Sequence, residues 1–388
     1  MVFISDIVRQ MPAYLFSQIQ RKKAQLEKQG VDVIDLGIGA PDLPTPEFIC
    51  DVLDKEARIA ANQRYSNYQG IAEYRKAVAD FYMKHYGVEV DPETEVIALI
   101  GSKEGIAHLI QAVLNPGDKV LLPDPGYPVY QSSVHIAGGE GVPYTLSSEF
   151  EYKPDFKQIS DVTAKSAKLM LLNYPNNPTS ATVELETFKE AVDFARKHNL
   201  VVANDAAYSL VTFKGYKAPS ILQVPGAKDC AVEIGSLSKS FNMAGWRIGY
   251  MAGNKEIIQA MLTLKSNVDS SQFIAIQKAA AAALKSDFRS VEANNEIYYE
   301  RLQKLHHVLT ELGLEVQEPK GTFFVWAKVP TGTSSQEFAN KLLEEAGIIV
   351  TPGTAFGQGG EGYIRIALTV PVKRLDEVNN RLRKVMDK

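Results

Sequence analysis

Cysteine is scarce in this chain: among 388 residues only Cys50 and Cys230 carry a thiol. They lie far apart, with no CxxC and no His/Cys cluster near either. That excludes a disulfide framework and argues against a zinc site; two reduced thiols, a cytoplasmic protein and no bound metal are expected. Long apolar runs are missing too. None reaches the roughly 18 residues of a membrane span. The alanine-rich stretch (Ala275, then Ala279 to Ala283) is interrupted by Gln277, Lys278 and Lys285 and reads as a packed helix. The N-terminus lacks a basic region followed by an apolar one and carries Asp6 early, which speaks against a secretory signal. No long Lys/Arg run occurs and the formal net charge is −4, so neither nucleic acid nor membrane is an expected partner. No repeat or low-complexity tract is present.

What is present is ample apolar material. Hydrophobic residues make up 45% of the chain, enough for more than one core. Short apolar runs at Val96–Ile100, Lys119–Leu122, Leu169–Leu172, Leu200–Ala203, Ala231–Ile234 and Ile248–Met251 alternate with helical stretches. Continuous apolar strands between helices predict an α/β fold with a mainly parallel sheet, seven-stranded and covered by helices on both faces. Most of these strands end in a polar or glycine-rich turn, where open α/β sheets bind ligands. From about Ser290 the pattern changes. Leu302, Leu305, Leu309 and Leu312 recur at helical spacing up to a stop at Gly313. Two strands follow, one aromatic (Gly321 to Trp326) and one at Tyr363 to Leu368. The tail therefore reads as a smaller α+β domain. The predicted division is 1–40 as an arm packing with the small domain, 41–288 as the large domain and 289–388 as the small one.

The strongest chemical signal is Ser236-Leu237-Ser238-Lys239, followed eight residues later by Arg247. A lysine just after a core strand resists desolvation. It becomes reasonable when the amine is neutralised as an imine with a carbonyl cofactor. Ser236, Ser238 and Arg247 offer donors for a phosphate; a surface loop with a charged lysine is the bland alternative. Asp205, in Asn204-Asp205-Ala206-Ala207-Tyr208, ends another strand, where it can hold a pyridine nitrogen protonated; it can equally cap a helix. Tyr208 can donate to the ring's phenolic oxygen. Asn177, in Asn173-Tyr174-Pro175-Asn176-Asn177-Pro178, is held out of helical conformation and can share that oxygen, or simply make a turn. Gly101-Ser102-Lys103 lies between a strand and a helix, where free amides and the Ser102 hydroxyl form a phosphate cup. Tyr127 can stack on a pyridine ring or pack in its loop. Arg365 interrupts an apolar strand; its guanidinium fork wants a planar carboxylate, from a substrate or from a core acid.

Together these motifs resemble the fold-type I aminotransferases, class I/II, of the aspartate aminotransferase superfamily, over nearly the whole chain. The resemblance implies pyridoxal 5′-phosphate as cofactor, with Lys239 as the Schiff-base lysine, Ser236 and Arg247 on the phosphate, and Asp205, Tyr208 and Asn177 around the ring. It implies Arg365 as the carboxylate arginine and Gly39, in Gly37-Ile38-Gly39-Ala40-Pro41-Asp42, next to the substrate. Tyr65 with Gly70 is similar to a pattern that reaches the phosphate of a neighbouring subunit, which implies a homodimer with shared active sites. Two departures stand out. Ser180 replaces the usual glycine after Asn177-Pro178-Thr179; if that position needs a positive φ, serine adds strain of order 1 kcal/mol, and a local backbone adjustment is expected. Ala206-Ala207 replaces bulkier pairs and would reshape the cofactor's back face.

Within the superfamily, DPGYPVY, NYPNNPT, SLSKSFNMAGWRIGY and SNVDSSQF are most similar to the LL-diaminopimelate aminotransferases and their alanine-type relatives. That substrate carries a second amino-acid head, for which Asn267, Asp269 and Tyr14 are candidate contacts. The expected reaction is a two-stage transfer from an amino acid to a 2-oxo acid such as 2-oxoglutarate, with Lys239 moving the α-proton. The alternatives are a broad alanine/aromatic aminotransferase and a β-eliminating lyase on the same fold. A non-catalytic regulator lacks a DNA-binding module, and a dehydrogenase lacks the third glycine after Gly39.

Overall fold

The computed structural model describes residues 3–11 and 15–386. Among the described residues twelve strands follow in chain order: β1 (Ile34–Asp35), β2 (Val96–Leu99), β3 (Lys119–Asp124), β4 (Glu140–Thr145), β5 (Ala167–Leu172), β6 (Val201–Asp205), β7 (Ala231–Ser236), β8 (Gly249–Gly253), β9 (Phe324–Lys328), β10 (Ile348–Ile349), β11 (Thr351–Pro352) and β12 (Tyr363–Ala367). Seven of them form the large sheet in the order β2-β8-β7-β6-β5-β3-β4. All neighbours pair in parallel except β8, which runs antiparallel to both β2 and β7.

The apolar runs explain why this sheet is covered twice. Successive side chains of a strand point to opposite faces. Met170 and Leu172 of β5 join one apolar cluster, with Val202 and Leu121. Leu169 and Leu171 join another, with Ala203, Val120 and Ile234. A strand with helices on both sides needs no polar face, so the runs are unbroken. The sequence reading missed β4. It is an edge strand with one partner, β3, and it carries Glu140, Gly141 and Pro143, residues that an edge tolerates.

A third cluster forms the smaller core. The helix Arg289–Glu311 lays Leu302, Leu305 and Leu309 against Phe323, Val325 and Ile366. It stops before Gly313, which is left-handed (φ 77°). Strands β11, β12 and β9 form an antiparallel sheet in that order. The aromatic strand starts later than its composition predicts: Thr322 is left-handed (φ 66°), so regular pairing begins at Phe324. Strand β1 pairs in parallel with β10, which fastens the N-terminal segment to this smaller core.

The alanine-rich stretch is the helix Ile274–Lys285, packed against the helices Glu47–Ala57 and Ala72–Tyr86. Among the described residues no helix is long and apolar enough to cross a membrane.

Candidate active site

A cavity of about 570 Å³ opens between the two cores. Its floor comes from the ends of successive strands of the large sheet: Ser102 after β2, Tyr127 after β3, Asn173 and Asn177 after β5, Asp205 closing β6, and Lys239 after β7. Its other walls are Ile38 and Gly39, Phe324 of β9, Arg365 of β12, and Gln20 from the helix Leu15–Lys28.

Lys239 stands on the short helix Leu237–Ser240. Its Nζ donates to the carbonyl of Gly39 at 2.8 Å and lies 5.7 Å from the Tyr208 ring centre. Burial, reinforced by the charges of Arg365 and Arg247, lowers the amine to a pKa of about 8, with Asp205 opposing. Gly39 can approach this closely only without a side chain, since a Cβ there would collide with the Phe324 ring. Ser236 caps the same helix, its hydroxyl accepting from the amide of Ser238 at 3.2 Å.

Asp205 is 6% exposed. Tyr130 Oη donates to one carboxylate oxygen at 2.9 Å and the amide of Ala207 to the other at 3.3 Å. Desolvation raises its pKa to about 6, with those hydrogen bonds and Lys239 pulling the other way. Asn173 ties the neighbouring turns together. Its Nδ2 donates to the Asp205 carbonyl at 2.7 Å and its Oδ1 accepts from the amide of Asn177 at 2.8 Å. Tyr208 is buried edge-on to Phe323 and Phe324, and that burial raises its phenol.

Arg365 is buried and held from several sides. One guanidinium nitrogen donates to Asn177 Oδ1 and another to the carbonyl of Gly37, both at 2.7 Å. The rings of Phe324 and Phe356 lie 4.2 and 4.7 Å from its central carbon.

A corner with the donors to suit an anion lies where the helix Ser102–Val113 begins. Gly101 is left-handed (φ 78°), and no side chain caps the helix start, so its first amides are available to a ligand. A Cβ on Gly101 would collide with the Arg247 guanidinium, which lies across this turn. Arg247 itself is left-handed (φ 54°) and donates to the carbonyl of Ala244 at 3.0 Å. Lys103 is exposed; partial burial and then the charge of Arg247 lower its ammonium.

Of the residues singled out by sequence, Ser102, Tyr127, Asn177, Asp205, Tyr208, Lys239, Gly39 and Arg365 line one cavity. Among the described lining residues, Lys103, Ser236, Ser238, Arg247, Tyr65 and Asn267 do not appear. Tyr65 is 91% exposed. Asn267 is exposed and its Nδ2 turns back to the Thr263 carbonyl of its own helix. Tyr14 lies outside the described residues.

Asp269 is engaged elsewhere. It and Glu104 hold the ammonium of Lys265, which is wholly buried, at 2.9 and 2.7 Å. With His108 these two acids bring three potential metal ligands within 4.8 Å. The Lys265 ammonium already stands among them as the counter-cation.

The expected backbone adjustment at Ser180 does not occur. Ser180 adopts the left-handed conformation (φ 60°) and its hydroxyl is hydrogen-bonded to Thr322 and Phe324. Sequence reasoning also missed Tyr130, Asn173, Ile38, Phe324 and Gln20. Tyr130 stands on the helix Val129–Ile136 while Tyr127 precedes it, and Asn173 directly follows β5. Gln20 carries no local signal.

The family profile described as Aminotransferase class I and II matches residues 31–382. The LL-diaminopimelate aminotransferase of Aquifex aeolicus is 50% identical over 98% of this chain and 98% of its own length. That of Moorella thermoacetica is 47% identical, with 98% of each chain covered. Among solved structures, substrate-bound BacF from Bacillus subtilis superimposes with a TM-score of 0.95 at 38% identity, covering 100% of this chain and 98% of that one.

Proposed function

Since the chain belongs to the class I and II aminotransferases and is a transaminase, we propose that its cofactor is pyridoxal 5′-phosphate and its amino donor LL-2,6-diaminopimelate. The donor set fits that cofactor. The carrying observation is that a buried amine and a buried acid line one cavity without pairing directly. Lys239 donates to a carbonyl, and the described hydrogen-bond partners of Asp205 are a phenol and an amide. A raised carboxyl in that setting is matched to a cationic ring nitrogen, and the Gly101 turn with Arg247 is matched to a phosphate. Ser102, Ser236, Ser238 and Lys103 would add donors on that side, while Tyr208 and Asn177 would hold the ring's phenolic oxygen. Tyr127, stacked edge-on against Tyr130 with centres 5.6 Å apart, would cover a ring face.

When bound, this cofactor supplies an electron-withdrawing ring that acidifies the Cα–H of the amino acid joined to it. The chain's residues do the rest. Arg365 and Asn177 grip the substrate's α-carboxylate, which orients its Cα–H toward Lys239. Lys239 Nζ would take that proton and later give it up again. Asp205 would keep the ring nitrogen protonated. Phe324, Tyr208 and Ile38 present apolar surface to the reacting atoms and limit water there. Water supplies the carbonyl oxygen of the 2-oxo acid that leaves, and 2-oxoglutarate accepts the amine in the reverse sequence, its own oxygen departing as water.

Support for the donor comes from the named relatives, which match at 45–50% identity over nearly the full length of both chains. The cavity adds Gln20, whose side chain donates to Asp35 at 3.0 Å and leaves its amide oxygen to read a distal ammonium. The exposed Tyr65 fits a role at the phosphate of a second subunit, hence a homodimer with shared sites. Two free thiols fit a cytoplasmic protein. The test is a donor panel with 2-oxoglutarate on protein reconstituted with the cofactor. Turnover of diaminopimelate above alanine and aromatic donors is expected. Activity confined to alanine or aromatic donors would reject the donor assignment, and pyruvate release without an acceptor would mark a lyase.

A further inference from the structure

We propose that Ser180 is a positioning residue for Arg365, acting with Thr322 as a hydroxyl latch between the two cores; the proposal rests on the transaminase reading above. Ser180 (φ 60°) and Thr322 (φ 66°) both occupy the left-handed region, one in the turn after β5 and the other just before β9. A non-glycine residue is uncommon there and the β-branched Thr322 an outlier, so each position holds a side chain where glycine would cost less.

Their hydroxyls form a closed ring with one residue. The Phe324 amide donates to Thr322 Oγ1 at 3.1 Å, and Ser180 Oγ donates to the Phe324 carbonyl at 2.8 Å. The hydroxyls are 2.9 Å apart. With those two roles fixed, the proton between them belongs to Thr322 and is accepted by Ser180. Strand β9 is an edge of its sheet, so the latch satisfies Phe324 backbone groups on the side without a neighbouring strand.

Phe324 matters because its ring closes over Gly39 and lies 4.2 Å from the Arg365 guanidinium. Asn177, whose Oδ1 accepts from Arg365, sits three residues before Ser180 in a turn locked by the Ser180 amide donating to Asn176 at 3.0 Å. Arg365 is therefore gripped by the turn that carries Ser180 and by the strand that Ser180 holds. Glycine at 180 would relieve the backbone but leave the Phe324 carbonyl and the Thr322 hydroxyl without this partner.

The test is Ser180→Gly in the holoenzyme. KM for both the amino donor and 2-oxoglutarate should rise about three- to tenfold, the loss of roughly one such hydrogen bond, with kcat within about twofold. The calorimetric Kd for 2-oxoglutarate on the cofactor-loaded protein should weaken by the same factor. Thr322→Val should move both in the same direction, and Thr322→Ser, which keeps the hydroxyl, should restore them. Unchanged KM and Kd in Ser180→Gly would overturn the proposal, whatever happens to its melting temperature. A wild-type protein that binds 2-oxoglutarate but transfers no amine would instead sink the transaminase reading, while the Kd comparison still decides the latch.

Discussion

Asp205→Asn should act in opposite directions on the cofactor-free and cofactor-loaded protein. In the cofactor-free fold the Asp205 carboxyl is raised from 3.8 to about 6 by burial. Between those values the folded state holds a proton that the unfolded state has released. Stability therefore falls as pH rises from about 4 to 6 and stays reduced above that. The shift corresponds to about 3 kcal/mol at most, at 1.36 kcal/mol per pKa unit. Asparagine keeps the shape, can still accept from Tyr130 or Ala207, and carries no charge to desolvate. At pH 7.5 the cofactor-free variant should be more stable by up to about 3 kcal/mol, a rise of roughly 4 °C in Tm for a chain of this size. With cofactor bound the sign reverses: the partner of the ring nitrogen is gone, the cofactor dissociates more readily, and kcat falls by on the order of 10²–10³. Differential scanning fluorimetry from pH 4 to 8, with and without cofactor, reads both effects. A cofactor-free variant less stable than wild type at pH 7.5, or equal pH slopes for the two proteins, would refute the account of Asp205 as a buried acid awaiting a cation.

Lys239→Ala should abolish turnover while circular dichroism shows an intact fold. Because the folded amine titrates near 8 and the unfolded one near 10.5, cofactor-free wild type should gain stability relative to this variant as pH rises from 8 to 10.5, measured by thermal melts. Gln20→Ala should raise KM for diaminopimelate several-fold in a coupled assay while leaving a donor without a distal head unaffected; equal effects on both donors would remove Gln20 from substrate selection. Lys265→Met strands Glu104 and Asp269 beside each other without their counter-ion. It should cost about 3–5 kcal/mol in urea denaturation. It should also loosen the anion corner, since Glu104 accepts from the Ile100 amide at 3.0 Å just before the helix start.

Much of this arrangement is legible in the sequence because each chemical residue follows an apolar run. β6 ends in Asp205 and β7 leads into Lys239, so the polar residue after a buried strand marks the ligand-facing edge. What stays hidden depends on partners distant in the chain. Nothing local tells that Gln20 reaches a cavity built largely by residues beyond position 100, or that Phe324 closes over Gly39. β4 escapes because an edge strand needs no unbroken apolar pattern. Ser180 was visible as a departure, but the reason for it was not. Its hydroxyl partners lie some 140 positions away in a different core, and only their meeting makes a left-handed serine useful.

The scaffold that holds these groups is built on amide and carbonyl partners. Asn173 joins Asp205 to the Asn177 turn, Asn177 joins that turn to Arg365, Arg365 reaches the Gly37 carbonyl, and Lys239 reaches that of Gly39. Amides and carbonyls do not titrate, and a guanidinium keeps its charge throughout the working range. Between pH 5 and 9 the positions of the acid, the amine and the carboxylate grip should therefore hold while Asp205 and Lys239 change charge around them. A pH profile of cofactor-free stability should accordingly show two separate limbs, a fall from about 4 to 6 and a rise from about 8 to 10.5, rather than one cooperative loss of the site. Replacing Asn173 with Asp would place a negative charge among those amides and carbonyls and give up the Nδ2 bond to the Asp205 carbonyl. It should couple the two titrations and lower cofactor affinity, although Asn173 has no hydrogen bond to Lys239. Independent titrations in that variant, with wild-type cofactor affinity, would show that the asparagine ties do not set the geometry.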